Sequence, residues 1–465
     1  MVEKALVKKK IYEKYIGATK KNRKKYIGIE VEMPILNLDK RAVDFERIHE
    51  LTAKFMEHFR FEVMSRDDEG NINAAIHPEN GDILSYDCSY NNLELSFGKE
   101  ETLQALHQRF QDYYTFIQQE LEQYHYTLTG MGVNPYRKYN KNIPIPNGRY
   151  RMLFHHLNSY PKYKDLPMDF HEYPDYGLFS SASQVQLDVD YEDLITTIRV
   201  FSKVEPVKAL LFNNSVLVGE EEELACCRDM FWENSTHGIN PRNVGMFDSE
   251  MKSVEQLQEY LESTSMYCVE KGEKYINFSP IPVMEYFEQD TITGEYYEDG
   301  SYHEISFVPE IEDLDYLRTF KFEDLTFRGT IEFRSVCCQP VADVMTVSAF
   351  HLGLKRRLKE LDLLLQEDHV IYHHGFSEAE LRKMFVRQEL PAFVDREALY
   401  GLAEQVVDLA KEGLVERGYG EEIYLAPLYE RIRQQTNPAQ KMLRHLKDNG
   451  DIEDMIVEYG RIEKE

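Results

Sequence analysis

The stretch Tyr26-Ile27-Gly28-Ile29-Glu30-Val31-Glu32-Met33-Pro34 decides the reading of the fold. Its odd positions are all large and apolar, while its even positions are Tyr26, Gly28, Glu30, Glu32 and Pro34. Successive side chains of a β-strand point to opposite faces, so both glutamates point the same way, and Gly28 leaves space beside them. Three further segments repeat the pattern. In Asn92-Leu93-Glu94-Leu95-Ser96-Phe97 the apolar side chains share one face, and Asn92, Glu94 and Ser96 the other. Gln184, Gln186 and Asp188 alternate with Val185, Leu187 and Val189, and Thr330, Glu332 and Arg334 alternate with Ile331 and Phe333.

One strand of this kind describes a sheet with one wet face. Four of them carry something more specific, because a solvated face mixes its acids with Lys and Thr. These faces hold Glu30, Glu32, Glu94, Glu332, amides and a single Arg. If they converge, like charges a few Å apart must be neutralised by protons or by cations. Carboxylate and amide oxygens without Cys or His are hard ligands, which suit Mg²⁺ or Mn²⁺. Mg²⁺ held by a few carboxylates completes its shell with water and nucleotide phosphates, which points to metal-assisted phosphoryl transfer. The usual phosphate motifs are absent: there is no G-x-x-x-x-G-K-[ST], no G-x-G-x-x-G between strand and helix, and no kinase motif set. A bound ATP would rest on metals and scattered basic side chains. His155–His156 and His373–His374 read as structural or surface pairs.

Outward from these strands, Leu103, Leu106, Phe110, Tyr114, Ile117 and Leu121 recur at spacings of three and four, which predicts a helix within 101–125. Beyond Val341 the pattern turns helical. Val344 to Leu361 reads as one helix. Ser377 and Glu380 form a capping box with Phe376 and Leu381 placed as a staple, and Asp395 caps a third helix ended by Gly418. The segment 287–315 is acidic, Tyr-rich and broken by Gly294 and Gly300, and reads as a long loop or irregular hairpin, either a lid or a plain surface insertion. The expected class is α+β, an antiparallel sheet with flanking helices. The expected division is a core over residues 1–345 and a helical region over 346–465.

Composition bounds the partners. With 54 Lys+Arg against 82 Asp+Glu the net charge is −28, which opposes a nucleic-acid partner. Lys8, Lys9, Lys10, Lys20, Lys21, Arg23, Lys24 and Lys25 form a local basic cluster that reads as a solvated face, since nothing aromatic interleaves it for base stacking. No run of 18 apolar residues implies a membrane span, and the N-terminus lacks the apolar stretch of a signal peptide. The cysteines, four of them in the adjacent pairs Cys226–Cys227 and Cys337–Cys338, suit neither a disulfide framework nor a zinc site. They read as reduced thiols of a cytoplasmic protein.

Taken in order, these segments resemble the glutamate–cysteine ligase family, within the carboxylate–amine ligases that share the glutamine-synthetase catalytic fold. Residues 26–34 resemble the family's first strand, whose two acids bind metal. Asp87 and Glu94 resemble a second acid pair with the same seven-residue separation. Gln184-Val-Gln-Leu-Asp188 is similar to the family's Q-V-(H/N) strand, with Gln186 where many relatives have His. The segment 209–215 followed by Arg228 resembles a small-residue turn with a downstream Arg, although Phe212 and Asn213 replace the small residues. Arg328-Gly-Thr-Ile-Glu-Phe-Arg334 looks like the family's L-E-x-R strand. The resemblance spans about residues 20–345.

It implies a curved antiparallel sheet lining the active site, and ATP-dependent joining of the γ-carboxylate of glutamate to the amine of cysteine through a γ-glutamyl phosphate. Glu30, Glu32, Asp87, Glu94, Gln186 and Glu332 become the expected ligands of two or three Mg²⁺ (or Mn²⁺) ions. Gln184, Gln186 and Arg334 would contact the nucleotide, and Arg334 and Arg228 the transferring phosphoryl or a substrate carboxylate. Three rivals stand beside this reading: a sister ligase with another amine acceptor, a metal-dependent phosphotransferase on the same scaffold, and a non-catalytic binding protein. The oligomeric state stays open.

Overall fold

The computed structural model describes residues 2–21, 25–220 and 223–463, so Arg23 and Lys24 of the basic cluster lie outside the described residues. Fifteen strands are described. They are β1 (Ile27–Asn37), β2 (Glu62–Arg66), β3 (Ile72–Ile76), β4 (Ile83–Tyr86), β5 (Asn92–Glu100), β6 (Tyr126–Leu128), β7 (Ser183–Asp188), β8 (Val244–Gly245), β9 (Ser265–Lys271), β10 (Lys274–Pro282), β11 (Ile292–Glu298), β12 (Ser301–Phe307), β13 (Phe320–Lys321), β14 (Glu323–Leu325) and β15 (Thr330–Phe333). Among the described residues, nine strands form the main sheet in the order β14-β15-β7-β1-β5-β4-β3-β2, with β6 beside β1. Every neighbouring pair is antiparallel. The α+β expectation holds.

The alternation of β1 sorts its side chains as expected. Ile27, Ile29, Val31 and Met33 are buried in the main core, while Gly28 and Glu30 are half-buried. The same core takes Leu103, Leu106, Phe110, Tyr114, Ile117 and Leu121 from the helix Leu103–Glu122, whose Thr102 side chain accepts from Ala105 N. Helices thus close one face of the sheet, which leaves its polar face as the floor of a site.

The C-terminal helices follow their caps. Ser377 and Glu380 form the capping box of Glu378–Phe385, Asp395 Oδ1 accepts from Ala398 N at 2.8 Å, and Gly418 ends Arg396–Arg417 with φ 78°. Leu381 enters the core, whereas the Phe376 ring stacks on Phe393. The helix Val344–Arg356 crosses Arg396–Arg417 at Gly353 and Gly413. A Cβ on Gly353 would meet Ala410 O at 2.1 Å, and one on Gly413 would meet Gly353 O at 2.1 Å, so the two backbones touch.

Two expectations need correction. The single helix over Val344–Leu361 is two, Val344–Arg356 and Leu358–Glu367, because Arg357 leaves the helical region at φ −117°, ψ 31°. The 287–315 segment is neither a loop nor an irregular hairpin. β11 and β12 pair in unbroken register from Ile292↔Phe307 to Glu298↔Ser301 and extend a second sheet of order β12-β11-β10-β9. Alternating Thr, Tyr and Ile support the strands, while Asp299 and Gly300, both at positive φ, make the tight turn. The hairpin docks on the helix Gly148–Asn158, where the His155 ring stacks on Tyr302 and Nε2 meets Glu295 Oε2 at 3.0 Å. The basic residues that are described, Lys8, Lys9 and Lys10 among them, are exposed, as a solvated face requires.

Candidate active site

The strand registers bring the four polar faces into one row. Glu32 of β1 stands opposite Glu94 of β5, and Glu30 opposite Gln184 of β7. Gln186 of β7 stands opposite both Gly28 of β1 and Glu332 of β15, and Glu332 opposite Asp324 of β14. Gly28 does what its position suggested: a Cβ there would lie 3.5 Å from Gln186 Cβ, so the glycine makes a floor beneath the glutamine.

Amides and guanidinium groups lace the row together. Gln184 Nε2 donates to Glu32 Oε1 at 2.8 Å, and Ala182 N donates to Glu32 Oε2 at 2.7 Å. Gln186 Nε2 donates to Glu30 Oε1 at 2.8 Å and to Glu332 Oε1 at 2.7 Å. Arg334 Nη1 donates to Glu332 Oε2. Asp87 precedes Cys88, whose backbone turns at φ 59° in the link from β4 to β5. That turn sets Asp87 among the acids, where its charge acts on both Glu32 and Glu94. Arg228 lies in the first turn of the helix Cys227–Glu233, where its Nη1 reaches Ser335 O at 3.5 Å and its charge acts on Glu32. All nine residues expected from the sequence therefore belong to one cluster.

Crowding and burial dominate the electrostatics. Burial, then Asp87 and Glu94, push the Glu32 carboxyl up to about 8. Burial and Asp87 push Glu94 up to about 7. Burial, then Glu332 and Glu94, push Glu30 well above the usual carboxylate range, and burial raises Asp87. Arg334 stays charged despite burial, because Glu332, Asp324 and Glu30 surround it. A wet face would leave its acids ionised at neutral pH. Here burial and crowding favour the protonated forms of Glu30, Glu32, Asp87 and Glu94, a preference that a positive charge would reverse.

The donor set suits hard divalent cations, being carboxylate and amide oxygen throughout. Among the described residues, Gln184 Oε1 is buried with no hydrogen-bond partner beside Glu32, the kind of orphaned acceptor that a cation satisfies. Arg228 Nε is likewise buried without a partner, a donor ready for an anion. No three His, Cys, Asp or Glu side chains among the described residues lie close enough to share one ion as they stand, since Gln186 and Arg334 occupy the spaces between them.

Three residues of the site escape sequence reasoning. Asp324, pushed up to about 7 by burial, accepts from Thr319 Oγ1 at 2.6 Å and faces Arg334. Its signal was the short strand running back from Glu332, too brief to show a period. Arg149 opens the helix Gly148–Asn158, reaches solvent, and acts on Asp87 and Glu94. No local pattern marks it. Arg328 sits inside a quoted motif, yet its contact with Gln186 Oε1 at 2.7 Å depends on the turn after β14.

A family model described as glutamate-cysteine ligase family 2 matches residues 26–458. The chain is 26% identical over 425 residues to the chloroplastic glutamate–cysteine ligase of Nicotiana tabacum, covering 87% of this chain and 72% of the relative. It is 25% identical over 448 residues to that of Arabidopsis thaliana, covering 92% and 78%. A crystal structure of glutamate–cysteine ligase from Francisella tularensis in complex with AMP aligns with 96% of this chain and 89% of its own, at TM-score 0.48 and 11% identity.

Proposed function

The chain belongs to glutamate-cysteine ligase family 2 and is a ligase of that type, and from that premise we propose that it joins the γ-carboxylate of glutamate to the amine of cysteine at the expense of ATP. The observation that carries the reading is the row of carboxylates on β5, β1 and β15, laid beside Arg334 and Arg228, in which burial and then crowding raise Glu30, Glu32 and Glu94. A carboxylate is a poor acyl donor. It attacks the γ-phosphorus of ATP, ADP leaves, and a γ-glutamyl phosphate forms. The cysteine amine then attacks the acyl carbon, and phosphate and a proton depart.

Glu30, Glu32, Asp87, Glu94, Glu332 and Gln186 are the residues that would hold Mg²⁺, with Gln184 supplying its orphaned oxygen. Bound Mg²⁺ would neutralise triphosphate charge and offset the negative charge that builds during phosphoryl transfer. Arg334 and Arg228 present planar donors to the oxygens of the transferring phosphoryl or of a substrate carboxylate. Arg149, at the mouth, adds a further cation for a substrate acid group. Helices behind the sheet hold the strands that carry these groups in place. The buried free cysteines fit a reducing compartment such as the cytoplasm. No helix among the described residues is long and apolar enough to cross a membrane.

The test is purified protein with ATP, Mg²⁺, glutamate and a panel of amines, following phosphate, ADP and product mass. Phosphate release that needs glutamate and cysteine together is the expected result. Release with a different amine assigns a sister ligase, ADP without phosphate assigns a phosphotransferase, and no turnover with any amine assigns a binding protein. Glu30→Gln and Glu332→Gln should each abolish turnover while circular dichroism stays unchanged. Undiminished turnover in either variant removes that residue from the site.

A further inference from the structure

The Gln186 amide has two orientations, and the structure holds one. Its Nε2 faces Glu30 and Glu332, and its Oε1 accepts from Arg328 Nη2 at 2.7 Å. The amide thus turns its N–H groups toward the carboxylates and its oxygen outward onto a guanidinium. An N–H group repels a cation, whereas an amide oxygen is a ligand for one. Rotating the amide about Cγ–Cδ would bring Oε1 to Glu30 and Glu332, but would set Nε2 against Arg328, donor against donor. While Arg328 keeps its place, the ligating orientation is excluded.

Arg328 stands where solvent reaches it. It lies on the turn between β14 and β15, before Gly329 at φ 76°, and is exposed, with its guanidinium over the exposed Phe327 ring at 5.1 Å. An exposed guanidinium at the rim of a cation site matches phosphate oxygens better than it matches a neutral amide oxygen. We propose that Arg328 is a positioning residue that acts through Gln186. With no phosphate present it latches the amide in the cation-repelling orientation. On meeting the polyphosphate of a nucleotide it releases Gln186, whose oxygen then turns to Glu30 and Glu332. Phosphate capture and cation retention are coupled through one side chain, and a cation arriving without nucleotide is held weakly. The latch rests on the reading of this row as a divalent-cation site.

The test is Mn²⁺ binding without nucleotide, read from the loss of the free-ion EPR signal at pH 8. It uses wild type, Arg328→Ala, Gln186→Met, the double variant and Glu332→Gln. Removing the latch should tighten Mn²⁺ binding by about five- to tenfold, the scale of one charge-assisted hydrogen bond at a partly exposed site. The same variant should bind ADP in the presence of Mg²⁺ at least about fivefold more weakly, since Arg328 no longer meets phosphate. In the Gln186→Met background, Arg328→Ala should change Mn²⁺ affinity by less than about twofold. An equal gain in both backgrounds would mean that deleting a positive charge accounts for everything, and overturns the latch. So does an unchanged or weaker Mn²⁺ affinity in Arg328→Ala. If neither wild type nor Arg328→Ala binds Mn²⁺, or if Glu332→Gln binds it as tightly as wild type, the cation site itself fails and the latch falls with it.

Discussion

Cation binding to this site should expel protons, and the number follows from the carboxylate row. Glu32, pushed up to about 8, is about nine-tenths protonated at pH 7, and Glu94, pushed up to about 7, is about half protonated. Ionising Glu32 in the cation-free fold, against an ordinary value of 4.5, costs about 5 kcal/mol. A divalent ion among these oxygens reverses that preference, because its own charge is the largest in the site. Binding at pH 7 should therefore release about 1.4 protons from this pair, and Glu30 adds to that number. At pH 9 the pair contributes about 0.1 proton. Linkage then makes cation affinity climb with pH, about tenfold per pH unit for each proton displaced.

The assay is isothermal titration of Mg²⁺ or Mn²⁺ into the protein in buffers of different ionisation enthalpy. The slope of apparent enthalpy against buffer enthalpy counts the protons. At pH 7 the slope should correspond to at least one proton, and it should shrink as pH rises past 8. Glu32→Gln should remove about nine-tenths of a proton from the slope at pH 7. A zero slope at pH 7, or a slope as large at pH 9 as at pH 7, would refute the picture of acids kept protonated by burial and crowding.

Stability without cations gives a second check. The folded value of Glu32, about 8, lies above its ordinary value of 4.5, so the stability it contributes is full below 4.5 and lost as pH rises through 8. In EDTA, the melting temperature of Glu32→Gln relative to wild type should rise between pH 6.5 and 9, and a flat difference would contradict it. A third prediction concerns the buried anchor of the C-terminal helices. Arg382 Nε and Nη2 grip Asp229 at 2.8 and 3.1 Å, and Nη1 reaches Glu205 Oε2 at 2.8 Å. Arg382→Met strands these buried acids and should cost about 3–5 kcal/mol in denaturant unfolding. Lys208 Nζ also donates to Glu205 Oε1, and a loss below about 1 kcal/mol would mean that this contact alone satisfies Glu205.

The elements of the site were legible because each rests on a local rule. Alternation in 26–34 put Glu30 and Glu32 on one face, and the period of 3.6 found the helix Leu103–Glu122 that covers the other face. Ser377, Asp395 and Gly418 marked helix ends because caps answer local backbone needs. The regular pairing of the hairpin β11–β12 lies beyond the reading of a long loop or irregular hairpin, because acids and glycines mask a period of two when both strand faces are largely exposed. The split at Arg357 has no breaking residue to announce it, only a backbone turned between two helices.

What the sequence determined by itself was the inventory: which acids share a face, which strands carry them, and the chemical hardness of the donors. Side-chain alternation and helical period are properties of a few neighbouring residues, so they survive without the rest of the chain. The pairing register, which sets Glu32 against Glu94 and Gln186 against Glu332, came only from the tertiary structure. So did the places of Arg149, Asp324 and Arg328, each supplied by a different element. Register and convergence are set by burying an entire core, a free energy summed over the whole chain. Charge tells the same story: within a net −28, only the fold separates the acids that water ionises from the few whose protons a cation must displace.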